Sequence, residues 1–213
     1  MHVITVPVTP FAQNCRIIVC KKTNKAVIVD PGGDVDKITA QVASHRVEIQ
    51  AIWLTHGHLD HVGVADILCK TYDVDILGPH KDEHFWFENL PMQAQMFGFA
   101  AKAPFYPTKY LNDLDSVKVG ELEFLVKHCP GHTPGHIVFY QEQQQCVIVG
   151  DVIFKGAIGR TDFPQGNTEQ LLTSIKQQIM CLPDKTIIMA GHGLNTTVGD
   201  EKSTNPFISG HFG

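Results

Sequence analysis

Concentrated positive charge is absent from this sequence. The formal net charge is -5, and no run of basic residues is longer than the pair Lys21-Lys22. Proteins that bind nucleic acid carry a basic patch or stripe that meets the phosphate backbone. We therefore expect no nucleic-acid partner.

Long apolar runs are also missing. No segment approaches the roughly 18 uninterrupted apolar residues of a membrane span. Residues 1–10 alternate Val and Ile with Thr and Pro, and they lack the basic start and continuous apolar core of a signal peptide. We therefore expect no membrane segment and a cytoplasmic location.

Cysteine pairs of the C-x-x-C type do not occur. The six cysteines are irregularly spaced in a chain of 213 residues, which is long enough to bury a core without disulfides. We expect free, buried thiols at Cys15, Cys20, Cys69, Cys129, Cys146 and Cys181.

The remaining composition is that of one folded domain. Hydrophobic residues make up 43% and charged residues 18% of the chain, a balance typical of globular proteins. The length suits a single core. We expect one domain over residues 1–213.

Short β-branched runs and segments of near-helical spacing alternate in two halves of similar order. The predicted strands are residues 3–8, 16–20, 26–29, 51–54, 75–77, 117–119, 122–127, 137–140, 146–149 and 186–190. Helices are predicted after Asp34, after His61 and over residues 168–180, with Thr168 as the cap of the last. This order predicts an α/β (α+β) protein, a four-layer αββα sandwich with two packed sheets between helices.

The segment between His80 and Tyr110 has poor periodicity and many aromatic residues. We predict one helix near residues 81–87, followed by an irregular segment. Two interpretations are open: a local core or dimer patch, and a flap over an active site.

Histidine is the residue in excess, with twelve in the chain. The densest group is His56-Gly57-His58-Leu59-Asp60-His61. Alternate residues of an extended segment point the same way, so His56 and His58 can converge on one metal ion. Asp60 and His61 follow on the turn into a helix and are placed for a second ion. Coordination removes the cost of several kcal/mol that burying such groups unpaired would carry.

Three further ligand-type residues each follow a glycine near a strand end. They occur as Gly131-His132, Gly150-Asp151 and Gly191-His192. Glycine lets the backbone turn tightly and approach a buried ion. Ligands from the same edge of both sheets would meet between them, so the sequence predicts a metal site.

The H-x-H-x-D-H pattern, followed at long spacing by single His, Asp and His, resembles the metallo-β-lactamase superfamily along nearly the whole chain. The resemblance implies the metallo-β-lactamase fold and two divalent metal ions, with zinc expected first and iron or manganese as alternatives. It implies a first ion on His56, His58 and His132, a second ion on Asp60, His61 and His192, and Asp151 as the bridge.

Residues 130–136 and 158–162 resemble the glyoxalase II-like (hydroxyacylglutathione hydrolase-like) branch, in particular its short bacterial members. This implies a small-molecule thioester of the acyl-glutathione type as substrate, cleaved by a hydroxide that bridges the two ions. Asp60 and Asp151 are the expected catalytic carboxylates. Because the chain ends at Gly213, we expect it to lack the C-terminal helical extension by which glyoxalase II holds glutathione.

Arg160 stands where that branch has a basic substrate contact. We therefore predict that it binds the thiol moiety of the substrate. The alternative is that Arg160 pairs with Asp162 or Glu169 and only holds its loop.

Other activities on the same fold stay open. A persulfide dioxygenase with a single iron resembles residues 159–163, but the complete second-ion set favours hydrolysis. A lactonase is a further alternative, and the oligomeric state is left open.

Two neighbours of the predicted ligands have two interpretations each. His136 is either a partner of the site or a packed histidine of the following strand. Asp30, with Pro31-Gly32-Gly33, either supports the ligand loop or forms a plain turn.

Overall fold

The β-branched runs of the first third of the chain form one mixed sheet. The structure is a computed structural model that describes residues 1–210, so the last three residues of the predicted domain lie outside the described part. The strands are β1 (His2–Val8), β2 (Gln13–Val19), β3 (Lys25–Val29), β4 (Glu48–Trp53) and β5 (Asp75–Leu77). They lie in chain order, β1 to β3 pairing antiparallel and β3 to β5 parallel.

The second half forms a sheet of six strands and a separate hairpin. The strands are β6 (Ser116–Val119), β7 (Leu122–His128), β8 (Ile137–Gln141), β9 (Cys146–Gly150), β10 (Ile153–Phe154), β11 (Ala157–Ile158), β12 (Ile187–Ala190) and β13 (Thr196–Thr197). The sheet order is β13-β12-β9-β8-β7-β6, and β10 pairs with β11 alone.

Seven α-helices cover the two sheets in the described part of the chain. They are α1 (Val35–His45), α2 (Leu59–Val62), α3 (Ala65–Tyr72), α4 (His84–Glu88), α5 (Leu90–Phe97), α6 (Thr168–Ser174) and α7 (Val198–Thr204). A 3-10 turn, Lys81–Glu83, precedes α4, and α6 continues into a π-helical turn, Ile175–Ile179. Within residues 1–210, no helix has the length and apolar character to cross a membrane.

Three apolar layers separate the four structural layers. The first packs α1, α2 and α3 against the outer face of the first sheet. The second lies between the sheets, where the Trp53 ring is 5.2 Å from Phe124 and 5.1 Å from Phe139, centroid to centroid. The third packs α6 and the following π-helical turn against the second sheet, through Leu171 and Ile175 respectively. The predicted αββα sandwich is confirmed.

Several details differ from the sequence prediction. The irregular segment after residue 88 contains α5, whose apolar residues lie partly in solvent and so give no clean periodic pattern. The cap of α6 is Asn167, whose side chain accepts the N–H of Gln170, and Thr168 is already helical. β10, β11 and β13 were not predicted because two residues carry no periodicity.

The cysteine prediction holds in part. All six cysteines are free, and four of them are buried. Cys69 is only partly buried, and Cys181 is exposed. These two lie near the C-terminal ends of surface helical segments, where apolar packing is incomplete.

Candidate metal centre

The first four predicted ligands lie where β4 runs into α2. His56 and His58 are in the connecting segment, and His58 has extended backbone angles, φ -71° and ψ 141°. Asp60 and His61 lie inside α2, whereas the sequence predicted a turn before a helix. The helix starts this early because His58 O accepts the N–H of His61 at 2.9 Å.

The other three predicted ligands lie at one edge of the second sheet. His132 is in the β7–β8 connection, Asp151 follows β9 and His192 follows β12. Since β9 and β12 are parallel neighbours, their carboxyl ends leave the sheet at the same edge. Gly191 N donates to Gly150 O at 2.6 Å, which holds the two loops together.

His56, His58 and His132 form the first group. His58 Nδ1 lies 3.1 Å from His56 Nε2 and 3.0 Å from His132 Nε2. Nitrogens that bind one zinc ion, at roughly 2.0–2.1 Å each, lie about this far apart. The three side chains are buried and can hold one metal ion.

Asp60, His61 and His192 form the second group. Asp60 Oδ2 lies 3.3 Å from His192 Nε2 and 3.9 Å from His61 Nε2. One ligand atom of each residue lies within 4.8 Å of the others. This group can hold a second metal ion.

Asp151 lies between the two groups. Its Oδ1 is 3.3 Å from His61 Nε2, and its Oδ2 is 3.5 Å from His192 Nε2 and 3.9 Å from His132 Nε2. Its oxygens therefore face both groups, and its role as the bridge between two ions stays a prediction.

The donor atoms of these residues fit metal ions. Apart from their mutual contact at 3.3 Å, His61 Nε2 and Asp151 Oδ1 are buried without a hydrogen-bond partner, a state that costs free energy unless a cation satisfies it. Burial lowers the pKa of His56 and of His58. These imidazoles therefore stay neutral, which is the form that coordinates metal.

Asp30 supports the ligand loop, which confirms the first of its two interpretations. Its Oδ1 accepts Thr55 N at 2.8 Å, and its Oδ2 accepts Thr55 Oγ1 at 2.7 Å. Asp30 Oδ2 also lies 3.0 Å from His61 Nδ1. A carboxylate on one ring nitrogen leaves the other free for metal, so Asp30 orients His61.

Backbone carbonyls orient two more histidines. His132 Nδ1 lies 2.7 Å from Arg160 O, and His192 Nδ1 lies 3.1 Å from Phe11 O. Each carbonyl can accept only an N–H, which fixes the proton on Nδ1 and leaves Nε2 facing the centre.

Glu83 joins the two loops that carry the first group, and the sequence prediction missed it. Its Oε2 accepts Gly57 N at 2.8 Å, and its Oε1 accepts Gly135 N at 2.7 Å. Burial raises the pKa of Glu83 to about 7. Its role rests on contacts between distant segments, so no local sequence signal could have revealed it.

His136 satisfies both of its interpretations. It is fully buried, and its ring stacks on His56 at 4.6 Å between centroids and 18° between planes. Its Nε2 accepts the backbone N–H of Asp151 at 3.1 Å. His136 therefore positions the main chain of the predicted bridge.

Gly191 shows why glycine precedes a ligand. A Cβ at this position would lie 2.2 Å from Asp151 Oδ1 and 2.7 Å from His61 Cε1. No side chain fits there, so the backbone itself forms part of the wall of the centre.

Two other groups in the described residues have ligand spacing. Asp30, His56 and His61 form one, but both oxygens of Asp30 are already hydrogen-bonded. The second comprises His80, Asp82 and His128 at the surface, and it shares no residue with the central groups.

A cavity of about 620 Å³ opens onto the centre. His58, Asp60, His132 and Asp151 line its floor, and α5 lines one side. The segment 80–110 therefore has a part in both interpretations: Phe87, Leu90 and Ala94 belong to the apolar layer on the first sheet, and Met92 and Met96 of α5 line the cavity.

Arg160 lies at the rim of this cavity and is bound to Asp162. Its Nε and Nη2 donate to the two carboxylate oxygens of Asp162, each at 2.6 Å. The guanidinium also lies 4.1 Å from the Phe163 ring centroid. This is the pairing that the alternative interpretation described, and substrate contact by Arg160 stays a prediction.

Comparison with known proteins agrees with this architecture. The sequence profile of the metallo-beta-lactamase superfamily matches residues 8–192. Hydroxyacylglutathione hydrolase GloC of Haemophilus influenzae is 42% identical over 210 residues, which are 98% of this chain and 99% of that protein. The chain therefore belongs to the metallo-β-lactamase superfamily, and it is a metallo-hydrolase.

Solved structures show the same fold over nearly the full length. BLEG-1 B3 metallo-beta-lactamase superposes with a TM-score of 0.90 at 32% identity, covering 98% of this chain and 100% of its own. TTHA1623, solved in a di-iron-bound form, superposes with a TM-score of 0.87 at 33% identity, covering 96% and 99%.

Proposed function

We propose that this chain hydrolyses thioesters of the acyl-glutathione type to a carboxylic acid and a thiol, with two divalent metal ions. The observation that carries the proposal is the pair of three-residue groups with Asp151 between them on the floor of an open cavity. The hydroxyacylglutathione hydrolase from Haemophilus influenzae, at 42% identity, supports the thioester as substrate.

We propose the same division of ligands between two ions that the sequence predicts. His56, His58 and His132 would hold one ion, Asp60, His61 and His192 the other, and Asp151 both. When bound, two such ions lower the pKa of a bound water from roughly 15.7 toward about 7 and polarise the substrate carbonyl.

Asp60 and Asp151 are the carboxylates that face the cavity from this centre. Asp60 accepts a hydrogen bond from the attacking water and orients it toward the carbonyl carbon. The water, which has lost one proton to solvent, forms a bond from its oxygen to the carbonyl carbon; the carbon–sulfur bond then breaks, which gives the carboxylic acid and a thiolate. The leaving thiolate comes from a thiol with a pKa near ~8.5, so it needs little acid assistance, and we assign no general acid.

We propose zinc as the metal, because three histidines and a shared carboxylate suit it. Iron and manganese are the alternatives, and the di-iron form of TTHA1623 is a reason to test iron. The free state of all six cysteines supports a location in the reducing cytoplasm.

The test is a substrate panel with purified protein loaded separately with zinc, iron and manganese. Thiol release is measured from glutathione and coenzyme A thioesters, with a lactone, a β-lactam and glutathione persulfide in parallel. We expect the thioesters to give the highest kcat/KM. Oxygen consumption with the persulfide, together with no thioester cleavage, would favour the dioxygenase instead.

A further inference from the structure

The cavity above the metal centre has an apolar wall. Six apolar side chains that line the cavity form this wall: Phe11, Met92, Met96, Phe97, Phe99 and Phe163. Four of them belong to the ten large hydrophobic residues that are exposed in the described part of the chain. The entrance to the reaction centre thus holds four of these ten exposed residues.

Helix α5 and two loops build this wall. Met92 and Met96 are four residues apart in α5 and therefore share a helix face. Phe11 packs edge-on against Phe97 and Phe99, with ring centroids 6.0 and 5.6 Å apart, and Phe97 lies 6.3 Å from Phe163. Aromatic packing of this kind fixes the shape of the wall, while unbranched Met side chains adapt to a ligand.

Away from the metal centre, the charged side chains of the cavity do not favour an anionic group. Among the described residues that line it, Arg160 is the only one with a cationic side chain. That cation already binds Asp162 through two hydrogen bonds, and a substrate carboxylate would have to displace Asp162. At the floor, Asp60 and Asp151 would offset part of the charge of the two proposed metal ions.

We infer that the enzyme selects thioesters by a bulky apolar acyl group, which packs against this wall while the carbonyl lies over the metal centre. This rests on the proposed thioester hydrolysis. The thiol portion of glutathione, which carries two carboxylates and an ammonium group, gains little from an apolar wall. Each methylene buried there raises kcat/KM by about fourfold until the wall is covered.

The experiment compares glutathione thioesters that differ only in the acyl group: acetyl, lactoyl, hexanoyl and phenylacetyl. We expect kcat/KM for hexanoyl and phenylacetyl to exceed that for acetyl and lactoyl by at least about tenfold. Equal values, or a preference for lactoyl, would overturn the inference and leave the hydrolase assignment intact. Failure to cleave any member would overturn the hydrolase assignment.

Binding of S-hexylglutathione and S-methylglutathione tests the wall without catalysis. Calorimetry should give at least tenfold tighter binding of the hexyl compound, and equal affinities would overturn the inference even if no thioester is cleaved.

Substitutions in α5 test whether this helix provides the selectivity for the acyl group. The double variant Met92→Gln/Met96→Gln keeps side-chain length, and it should lower the hexanoyl-to-acetyl ratio of kcat/KM at least fivefold. Ile67→Gln is the matched control, since Ile67 is as exposed as Met92, at 45% against 43%, and lies on α3 outside the cavity. An unchanged ratio in the double variant would overturn the proposal. If the unaltered protein is a dimer and the double variant dissociates, the wall is instead an interface between copies.

Discussion

Glu83 is the residue that most needs a test, because it supports the predicted ligands without touching a metal ion. Its two oxygens hold Gly57 N and Gly135 N. In Glu83→Gln the amide nitrogen cannot accept a hydrogen bond, so one glycine N–H loses its partner. We expect metal affinity to fall about 10–100-fold, measured by competition with a chromogenic chelator.

Glu88→Gln is the control for that variant. It makes the same change five residues later, at an exposed position next to His84. Its metal affinity should equal that of the unaltered protein. Equal affinities of the Glu83 and Glu88 variants would show that Glu83 does not position the ligand loops.

Asp151 is the proposed bridge between the two ions, since its oxygens face both groups. Asp151→Ala should abolish thioester turnover and weaken both metal sites together. Metal content and affinity are measured by elemental analysis and chelator competition. Loss of one ion while the other keeps its full affinity would contradict the bridging role.

For Arg160→Ala, the structure predicts a smaller effect on substrate binding than the sequence does. A free guanidinium bound to a substrate carboxylate would contribute about 1.5–3 kcal/mol. Arg160 is instead paired with Asp162, so a substrate carboxylate would replace an existing ion pair, and at this largely exposed position an ion pair contributes only about 0–1 kcal/mol. Arg160→Ala should therefore raise KM for a glutathione thioester no more than about fivefold.

The comparison that decides the role of Arg160 uses a glutathione thioester and a small uncharged thioester. Equal losses on both substrates would identify a residue that holds its loop. A tenfold larger loss on the glutathione thioester would restore the predicted substrate contact.

At the scale of elements, the strand ends were predictable and the supporting contacts were not. Gly131, Gly150 and Gly191 mark sharp departures from strands next to ligand-type residues, so sequence spacing alone identified the loops. Helix α5 was missed because its Met residues face the cavity, and Glu83 because its partners lie in other segments. Local patterns record which face is buried, but they do not record which distant loop a polar side chain reaches.

The substitution Gly32→Ala tests how closely the loop after β3 packs on α2. A Cβ at Gly32 would lie 1.5 Å from the carbonyl oxygen of Asp60, so Gly32→Ala must displace backbone. We expect destabilisation of about 3 kcal/mol or more, measured by denaturant unfolding, with weaker metal binding because Asp60 moves.

Gly98→Ala separates crowding from backbone strain. Gly98 has φ +69° and nothing within 4 Å of an added Cβ, so its substitution should cost about 1–2 kcal/mol from the left-handed backbone alone. The metal affinity of Gly98→Ala should equal that of the unaltered protein. A Gly32→Ala protein as stable as Gly98→Ala would contradict the close packing.

At the scale of the whole molecule, the centre depends on both sheets. Asn14 of β2 donates from its side chain to Ala190 O at 3.1 Å and to Gly193 O at 2.9 Å, on either side of His192. The Gln13–His192 bridge adds backbone pairing between the two halves. The two metal groups therefore form only when the halves are packed together, and sequence order alone could not show which strands make that contact.

Thioester hydrolysis by a two-metal centre is tested most directly by adding metal to the metal-free protein. Thioester hydrolysis and bound metal are measured in the same samples. We predict that hydrolysis rises with added zinc, or with iron or manganese if one of these is preferred, and reaches its maximum at two ions per chain. Full activity at one ion per chain, or two bound ions with no hydrolysis of any thioester, would contradict a two-metal thioester hydrolase.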